Sequence, residues 1–420
     1  MKTTIIENSH IKIEKLIPGG QGIGNAEDGK KGFFWNALPG EIVTKYKITK
    51  AKSHYFEAIA EEIENPSPHR IAPKDPCYLS TSPWQIMDYD YELAQKQELL
   101  TEQFNQFDIE LFGISATTGA DDRRSARNDG PRSRCPKSSI RTDSKPLYYR
   151  NKMEYSLYWD NETNKISLAF HERGSHRKLP ITSSSIEHPE IFGAAQKIVD
   201  DLNANHEEAR KYQSLLLRCN QNGEVSGGLY ENGKPHPTFK NLTDTILGQE
   251  YSYSPNGFFQ INLPVYELAL TEIKKHIKTN KVLDLYAGVG TIGLSVAGDK
   301  DLTLVECNKF AFSELAKNSE KQSFQVRAVL DQSENCLKYI TSDQTVIVDP
   351  PRAGCDKKLL DRFIEVAPPT IIYLSCNPAT QARDVKILLD SNKYKITSVT
   401  PFNFFPRTPH LENLIILEKI

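Results

Sequence analysis

The sequence contains no Cys-x-x-Cys pair, no long apolar run and no marked excess of charge of either sign. Each absence excludes a class of protein. Its seven cysteines, at 77, 135, 219, 307, 336, 355 and 376, are scattered and odd in number. That argues against a disulfide framework and fits reduced thiols in a cytosol. No apolar stretch approaches the roughly 20 residues that span a bilayer, and Met1-Lys-Thr-Thr-Ile-Ile-Glu-Asn8 lacks the apolar core of a signal peptide. No membrane partner is therefore expected, and the expected compartment is the cytoplasm. The net charge of −2 means that any nucleic-acid contact must come from local patches rather than the overall field. There is no internal repeat. What remains is an ordinary globular composition over 420 residues, enough for about two or three domains.

Short strand-like runs open the chain at 11–16, 32–35, 41–46 and 54–63, separated by turns such as Pro18-Gly-Gly-Gln-Gly22 and Leu38-Pro-Gly40. Their spacing suggests a small β-barrel. Pro66-Ser-Pro-His-Arg-Ile-Ala-Pro-Lys-Asp-Pro76 reads as the linker out of it. A helical stretch over 92–107 leads into 113–144, a segment rich in Ser, Gly, Asp and Arg. Its cations (Arg123, Arg124, Arg127, Arg132, Arg134, Lys137 and Arg141) outnumber its acids. It reads as a basic loop, either solvated or contacting RNA. Residues 147–250 mix β-like segments (153–159, 166–170, 214–219 and 227–230) with a helix over 189–205, an α+β module. From Lys281 onward, strands and helices alternate, with strands at 281–286, 302–306, 325–329, 345–349 and 370–375 and a terminal pair near 395–400 and 413–418. That rhythm predicts a doubly wound, mostly parallel sheet.

Three stretches converge on one edge of that sheet. Tyr373-Leu-Ser-Cys-Asn-Pro378 is a strand stopping at a cysteine, Val282–Gly290 a strand entering a glycine-rich turn, and Val346–Gly354 a strand ending in an acid and two prolines. Open α/β sheets bind ligands at the carboxyl ends of their strands. Cys376 is thus a candidate covalent nucleophile beside a bound nucleotide cofactor. The turn lets a backbone approach the ligand and offers helix N–H groups. Glu306 ends the next strand, where it could accept both ribose hydroxyl protons, and Asp331 follows the third, near an adenine amino group. The turn lacks the full Gly-x-Gly-x-x-Gly, since Gly288-Val-Gly290 is followed by Thr291, Ile292 and Gly293. This order favours S-adenosylmethionine over NAD.

With these motifs assembled, the chain resembles the uracil-5 RNA methyltransferases, which make 5-methyluridine in tRNA and 23S rRNA. The matching residues are Phe258-Phe-Gln-Ile-Asn262, Leu283–Gly290, Asp349-Pro-Pro-Arg-Ala-Gly354, Ser375-Cys-Asn-Pro-Ala-Thr380 and His410-Leu-Glu412. Gly19-Gly-Gln-Gly-Ile-Gly24 and Ala37-Leu-Pro-Gly-Glu41 look like the family's TRAM domain, and Tyr149–Glu154 like the start of its central domain. The resemblance implies an α/β fold in three parts. A TRAM-type, OB-like β-barrel covers 1–65. A central α+β RNA-binding domain, with the basic loop 113–144, covers 66–250. A Rossmann-like S-adenosylmethionine-dependent methyltransferase domain covers 251–420. It also implies roles. Gln260, Tyr286, Glu306 and Asp349 match cofactor-contacting positions, as do Thr291 and Asp331 more loosely; Cys376 matches the nucleophile and Glu412 the general base.

One departure is large. Many members hold an iron–sulfur cluster on cysteine thiolates, but here only Cys77 remains. Ser80-Thr-Ser-Pro-Trp84 and Ser183-Ser-Ser185 stand where the others would be. No cluster and no metal site are expected.

The implied reaction methylates carbon 5 of a uridine in RNA, with 23S rRNA favoured over tRNA and a monomer expected. Adding a thiolate to carbon 6 makes carbon 5 nucleophilic, and a carboxylate then removes its proton. Uracil within folded RNA must be flipped out to reach such a pocket. Asp349 and Arg352 are placed to orient the uracil edge or the cofactor. Phe402-Asn-Phe-Phe405 serves either core packing or the base pocket, and His410 orients its loop. Two rivals remain. A 5-methylcytosine enzyme would carry its cysteine where this chain has Arg352. A non-catalytic RNA-binding or assembly factor would have no use for Cys376 and Glu412.

Overall fold

The structure, a computed structural model, describes residues 4–111, 139–236 and 239–420. Its contacts divide it into two units. The first comprises Met1–Glu92, Asp143–Tyr266 and Phe404–His410; the second comprises Leu93–Thr142, Glu267–Asn403 and Leu411–Ile420. Most of the basic stretch 113–144 lies outside the described residues, so Arg141 is the one of its named cations that can be placed. Arg141 bonds Glu272 at 2.8 Å, and its backbone N–H donates to the Pro401 carbonyl.

The first unit opens with strands β1 (Thr4–Ile6), β2 (Ile11–Leu16), β3 (Gly22–Asn25), β4 (Lys31–Trp35), β5 (Ile42–Ala51) and β6 (Tyr55–Glu64). The strand order is β1-β5-β2-β3-β4-β6, and β5 also pairs with β6. Five strands therefore close into a barrel, with β1 added at one seam. Alternating apolar residues fill it, among them Ile11, Ile13, Phe34, Val43 and Ala58. Strand β3, absent from the sequence reading, begins at Gly22, the last residue of the turn read at Pro18–Gly22; its glycines carry no side-chain alternation to read.

The short helix α1 (Tyr78–Thr81) and then α2 (Tyr89–Asn105) follow the linker. The second sheet of this unit is antiparallel, built from β7 (Lys152–Asp160), β8 (Lys165–His171), β9 (Lys178–Pro180), β10 (Ser214–Cys219), β11 (Val225–Glu231) and β12 (Lys234–His236) in the order β12-β11-β10-β7-β8-β9. Helix α3 (Pro189–Ala204) covers one face with Ile191, Ala195, Val199 and Leu202, a helical stripe packed on Tyr155, Leu157 and Leu217. A hairpin of β13 (Leu242–Ile246) and β14 (Gln249–Tyr253) completes the module.

A buried carboxylate joins the two segments where cluster cysteines would have stood. Asp75 accepts from Gln85 Nε2 at 2.7 Å and from the Ser185 hydroxyl at 2.8 Å, while Cys77 is buried in the same core as α3.

Helix α4 (Leu263–Lys274) leads into the second unit. There the chain alternates β15 (Lys281–Leu285), α5 (Thr291–Ala297), β16 (Asp301–Glu306), α6 (Lys309–Glu320), β17 (Val326–Leu330), β18 (Gln344–Val348), α7 (Lys357–Val366), β19 (Thr370–Ser375) and α8 (Pro378–Asp390). It ends with β20 (Tyr394–Phe402) and β21 (Glu412–Lys419). The sheet order is β17-β16-β15-β18-β19-β21-β20. The first five strands are parallel, and β18 and β19 are buried along their whole length, as a sheet covered on both faces requires. Strand β21 inserts antiparallel between β19 and β20. The strand order reverses between β15 and β18, which opens a ligand crevice at their carboxyl ends.

Candidate active site

Strand β19 stops at Ser375, and Cys376 is the next residue. Asn377 caps α8 by accepting from Ala379 N, with Pro378 at the first helical position. The cysteine is therefore pinned between a buried strand and a capped helix, and its side chain is half-buried. The antiparallel register pairs Ser375 with Asn413. One step further along, the same register sets Glu412 beside Cys376. Gln381, fully buried on α8, holds that register: its amide donates to the carbonyls of Tyr373 (2.9 Å) and Asn413 (3.0 Å), and its carbonyl accepts from Asn413 Nδ2 (2.8 Å).

Glu412 is only 4% exposed, and its Oε2 has no hydrogen-bond partner among the described residues. Burial, with the nearby Asp349 charge, raises its carboxyl well above the usual range; the Arg352 guanidinium opposes that shift. Burial likewise pushes Asp349, just past the end of β18, up to about 7. The Cys376 thiol is pushed up to about 11, first by burial and then by Glu412 and Asp349, with Arg352 acting the other way. Two carboxyls raised by burial, a thiol and one cation thus share this edge of β18, β19 and β21. Such a cluster of mutually perturbed groups at a sheet edge is a mark of a functional site.

The neighbouring strands build the other half of the crevice. Tyr286 follows β15 in the left-handed region at φ 64°, a conformation costly for a non-glycine residue. Gly290 (φ 88°) starts α5, and Thr291 is buried in its first turn. A Cβ on Gly288 would meet nothing within 4 Å, so the backbone of the turn faces open space. Glu306, at the end of β16, is held by the turn itself: Oε2 accepts from Gly288 N at 2.8 Å and Oε1 from Asn308 N at 2.6 Å. Asp331 follows β17, and Gln332 N and Asn335 Nδ2 hold its carboxyl below its ordinary range. An open glycine turn with carboxylates on the next two strands fits a nucleoside ligand.

Tyr286, Thr291, Glu306, Asp331, Asp349, Cys376 and Glu412 all belong to the second unit. Gln260 belongs to the first, where it is buried and its backbone carbonyl accepts from Asn151 Nδ2. Two residues that the sequence analysis gave no role also matter. Gln381 sets the register, and Asp284, buried in β15, accepts from Gly293 N at 2.8 Å through Oδ2 while its Oδ1 has no partner among the described residues. Burial pushes the Asp284 carboxyl up to about 8.

Fold and edge together define a methyltransferase of Rossmann-like architecture with an N-terminal OB-like barrel. Residues 245–420 match the model of the tRNA (uracil-5-)-methyltransferase family. The chain is 27% identical to an uncharacterized RNA methyltransferase of Prochlorococcus marinus, over 91% of its own length and 99% of that protein. It is 26% identical to an uncharacterized RNA methyltransferase of Bacillus cereus, over 97% and 96% respectively. Its fold is similar to that of the Pyrococcus abyssi tRNA (uracil-54, C5)-methyltransferase, solved in complex with S-adenosyl-L-homocysteine. The TM-score is 0.70 at 22% identity, covering 97% of this chain and 100% of that one.

Proposed function

We propose that the protein methylates carbon 5 of a uridine in RNA, through a covalent bond between Cys376 and carbon 6 of the ring. The observation that carries this reading is the β19–β21 register, which sets a buried carboxylate beside a cysteine at the ligand edge. S-adenosylmethionine supplies an electrophilic methyl group on a sulfonium. Glu306 and Asp331 would hold its ribose and adenine, with Tyr286 and Thr291 lining the turn beside it.

Cys376 loses its proton and adds to carbon 6, so negative charge spreads onto carbon 5 and the ring oxygen. Arg352 stabilises both the thiolate and that charge. Carbon 5 would then take the methyl group, the pair of the broken S–CH3 bond staying on sulfur so that S-adenosylhomocysteine is left. Glu412, charged at this point, accepts the proton that carbon 5 still carries, and the ring re-forms its double bond as the Cys376 thiolate leaves. A raised carboxyl pKa makes Glu412 the stronger base for this step. Asp349 orients the uracil edge or the cofactor.

The substrate is a uridine of 23S rRNA in this reading, with the barrel (1–65) and the central module (66–250) gripping RNA and 251–420 performing the chemistry. The description of the matching family favours tRNA as the second reading. Two measurements test these statements. RNA containing 5-fluorouridine should become covalently trapped on the protein when S-adenosylmethionine is supplied, with the bond mapping to Cys376; no trapping, or a bond at another side chain, overturns the mechanism. Mapping 5-methyluridine in total RNA from a deletion strain decides between rRNA and tRNA, and a full complement of the base in both would sink the activity itself.

A further inference from the structure

The segment that carries Arg352 has no regular structure, yet it is bonded at nearly every residue. The Arg352 carbonyl accepts from Asn377 Nδ2 at 2.8 Å and from the Thr380 hydroxyl at 3.1 Å. The Ala353 carbonyl accepts from Arg383 Nη2 at 3.0 Å, and the Cys355 N–H donates to Asp384 Oδ2 at 2.8 Å. Every one of these side chains comes from the cap and first two turns of α8. Asp384 is the node. It is fully buried, its Oδ2 also accepts from the Tyr373 hydroxyl (2.8 Å), and its Oδ1 accepts from Arg383 Nε (2.8 Å) and Nη2 (2.6 Å). Gly354 is fitted to this contact: its φ is 82°, and a Cβ there would lie 2.5 Å from Asp384 Oδ2. A residue with a side chain would push the segment off the helix.

The same helix begins two residues after the cysteine, with its cap, Asn377, between them. We infer that Asn377, Thr380, Arg383 and Asp384 are positioning residues: a clamp on the face of α8 that fixes Arg352 relative to Cys376. This inference rests on the proposed function, since it gives the clamp a catalytic purpose. Cys376 faces Glu412, Asp349 and Arg352, and Arg352 is the one cation of that group. A cation bonded to the protein through its own carbonyl can be held at a constant distance without an ion pair to consume its charge. Loosening the clamp should therefore weaken the larger of the influences that favour the thiolate, while leaving the glycine turn and the acids after β16 and β17 intact.

Thr380→Val is the decisive variant. It keeps the shape of a half-buried side chain and removes one bond to the Arg352 carbonyl, whereas Thr380→Ser keeps the hydroxyl. The readouts on the full chain are the pH dependence of iodoacetamide alkylation at Cys376, followed by mass spectrometry of its own peptide, and the rate of adduct formation with 5-fluorouridine RNA. In Thr380→Val the alkylation midpoint should rise and the rate at pH 8 should fall by about threefold to tenfold, as a shift of up to about one pH unit would give. Thr380→Ser should match wild type, and the dissociation constant for S-adenosylmethionine should be unchanged in both. Asp384→Asn should show the same direction if it folds; Thr380→Val decides the matter if it does not. Wild-type alkylation kinetics in Thr380→Val would overturn the clamp whatever the RNA experiment shows. Failure of wild type to form the RNA adduct, with Thr380→Val still slow to alkylate, would instead overturn the proposed reaction and leave the clamp as a device serving another chemistry.

Discussion

At the scale of single residues, the mechanism separates two side chains by what each one stops. Cys376→Ala removes the proposed nucleophile without touching the glycine turn or Glu306, so methyl transfer should vanish while S-adenosylmethionine still binds within about twofold of wild type, as equilibrium dialysis would read. Residual transfer near wild type would mean that the ring is activated otherwise. Glu412→Gln acts later. Addition and methyl transfer can proceed, but carbon 5 keeps its proton and the thiolate cannot leave. A methylated RNA–protein adduct should therefore accumulate on a denaturing gel with ordinary, unfluorinated RNA. If Glu412→Gln turns over freely, the base lies elsewhere. The sequence exhibits both residues as motif members but hides their partnership, since a glutamate 36 positions after a cysteine has no visible relation to it.

At the scale of elements, that relation is a matter of register. The parallel strands are legible because each is an apolar run ended by a chemically distinctive residue, and the observed bounds 281–285, 344–348 and 370–375 lie within a residue or so of those read from the sequence. The insertion of β21 between β19 and β20 is not legible, because alternation and propensity say nothing about which neighbours a strand takes. Neither is β3, whose glycines hide its pattern, nor the hairpin β13–β14, whose short polar-rich strands lack a clear period. Gln381 is the element-level consequence of that topology, one buried amide serving two strands. Gln381→Met should leave the Tyr373 and Asn413 carbonyls without that partner and cost about 2–4 kcal/mol in urea unfolding. It should also lower methyl transfer more than cofactor affinity, because the register it guards belongs to the Cys376–Glu412 pair. A variant with wild-type stability would show that β21 holds its place without α8.

At the scale of the whole molecule, three parts of the resemblance stand on different footings. The barrel and the Rossmann-like sheet are present as strand order and pairing, whereas the RNA that the chain grips is written in no single motif. Among the described residues no helix is long and apolar enough to cross a membrane. The buried acids at the sheet edge carry a global consequence that the sequence could not disclose, since burial, not residue type, sets it. Asp284, raised from 3.8 to about 8, and Asp349, raised to about 7, hold protons in the folded protein that the unfolded chain has already released near pH 4. These two acids therefore make the folded state bind more protons between those limits, and their contribution to stability falls as pH rises from about 4 to about 8, opposed in part by His276, whose burial lowers its imidazole below its ordinary range. Above that range Lys152, lowered to about 8 by burial, works in the opposite sense and restores some of the loss. Thermal melts from pH 5 to pH 8 should thus show a declining midpoint, and Asp284→Asn should flatten the decline. Turnover should run the other way, rising with pH, because it needs a charged Glu412 and a Cys376 thiolate. If the cationic methyl donor binds beside these carboxylates, as proposed, it favours their charged forms, and S-adenosylmethionine should raise the melting midpoint more at pH 8 than at pH 5. An equal shift at both values, or a midpoint that climbs across this range without ligand, would show that the acids at this edge are ionised at rest and that the crevice draws nothing from their charge.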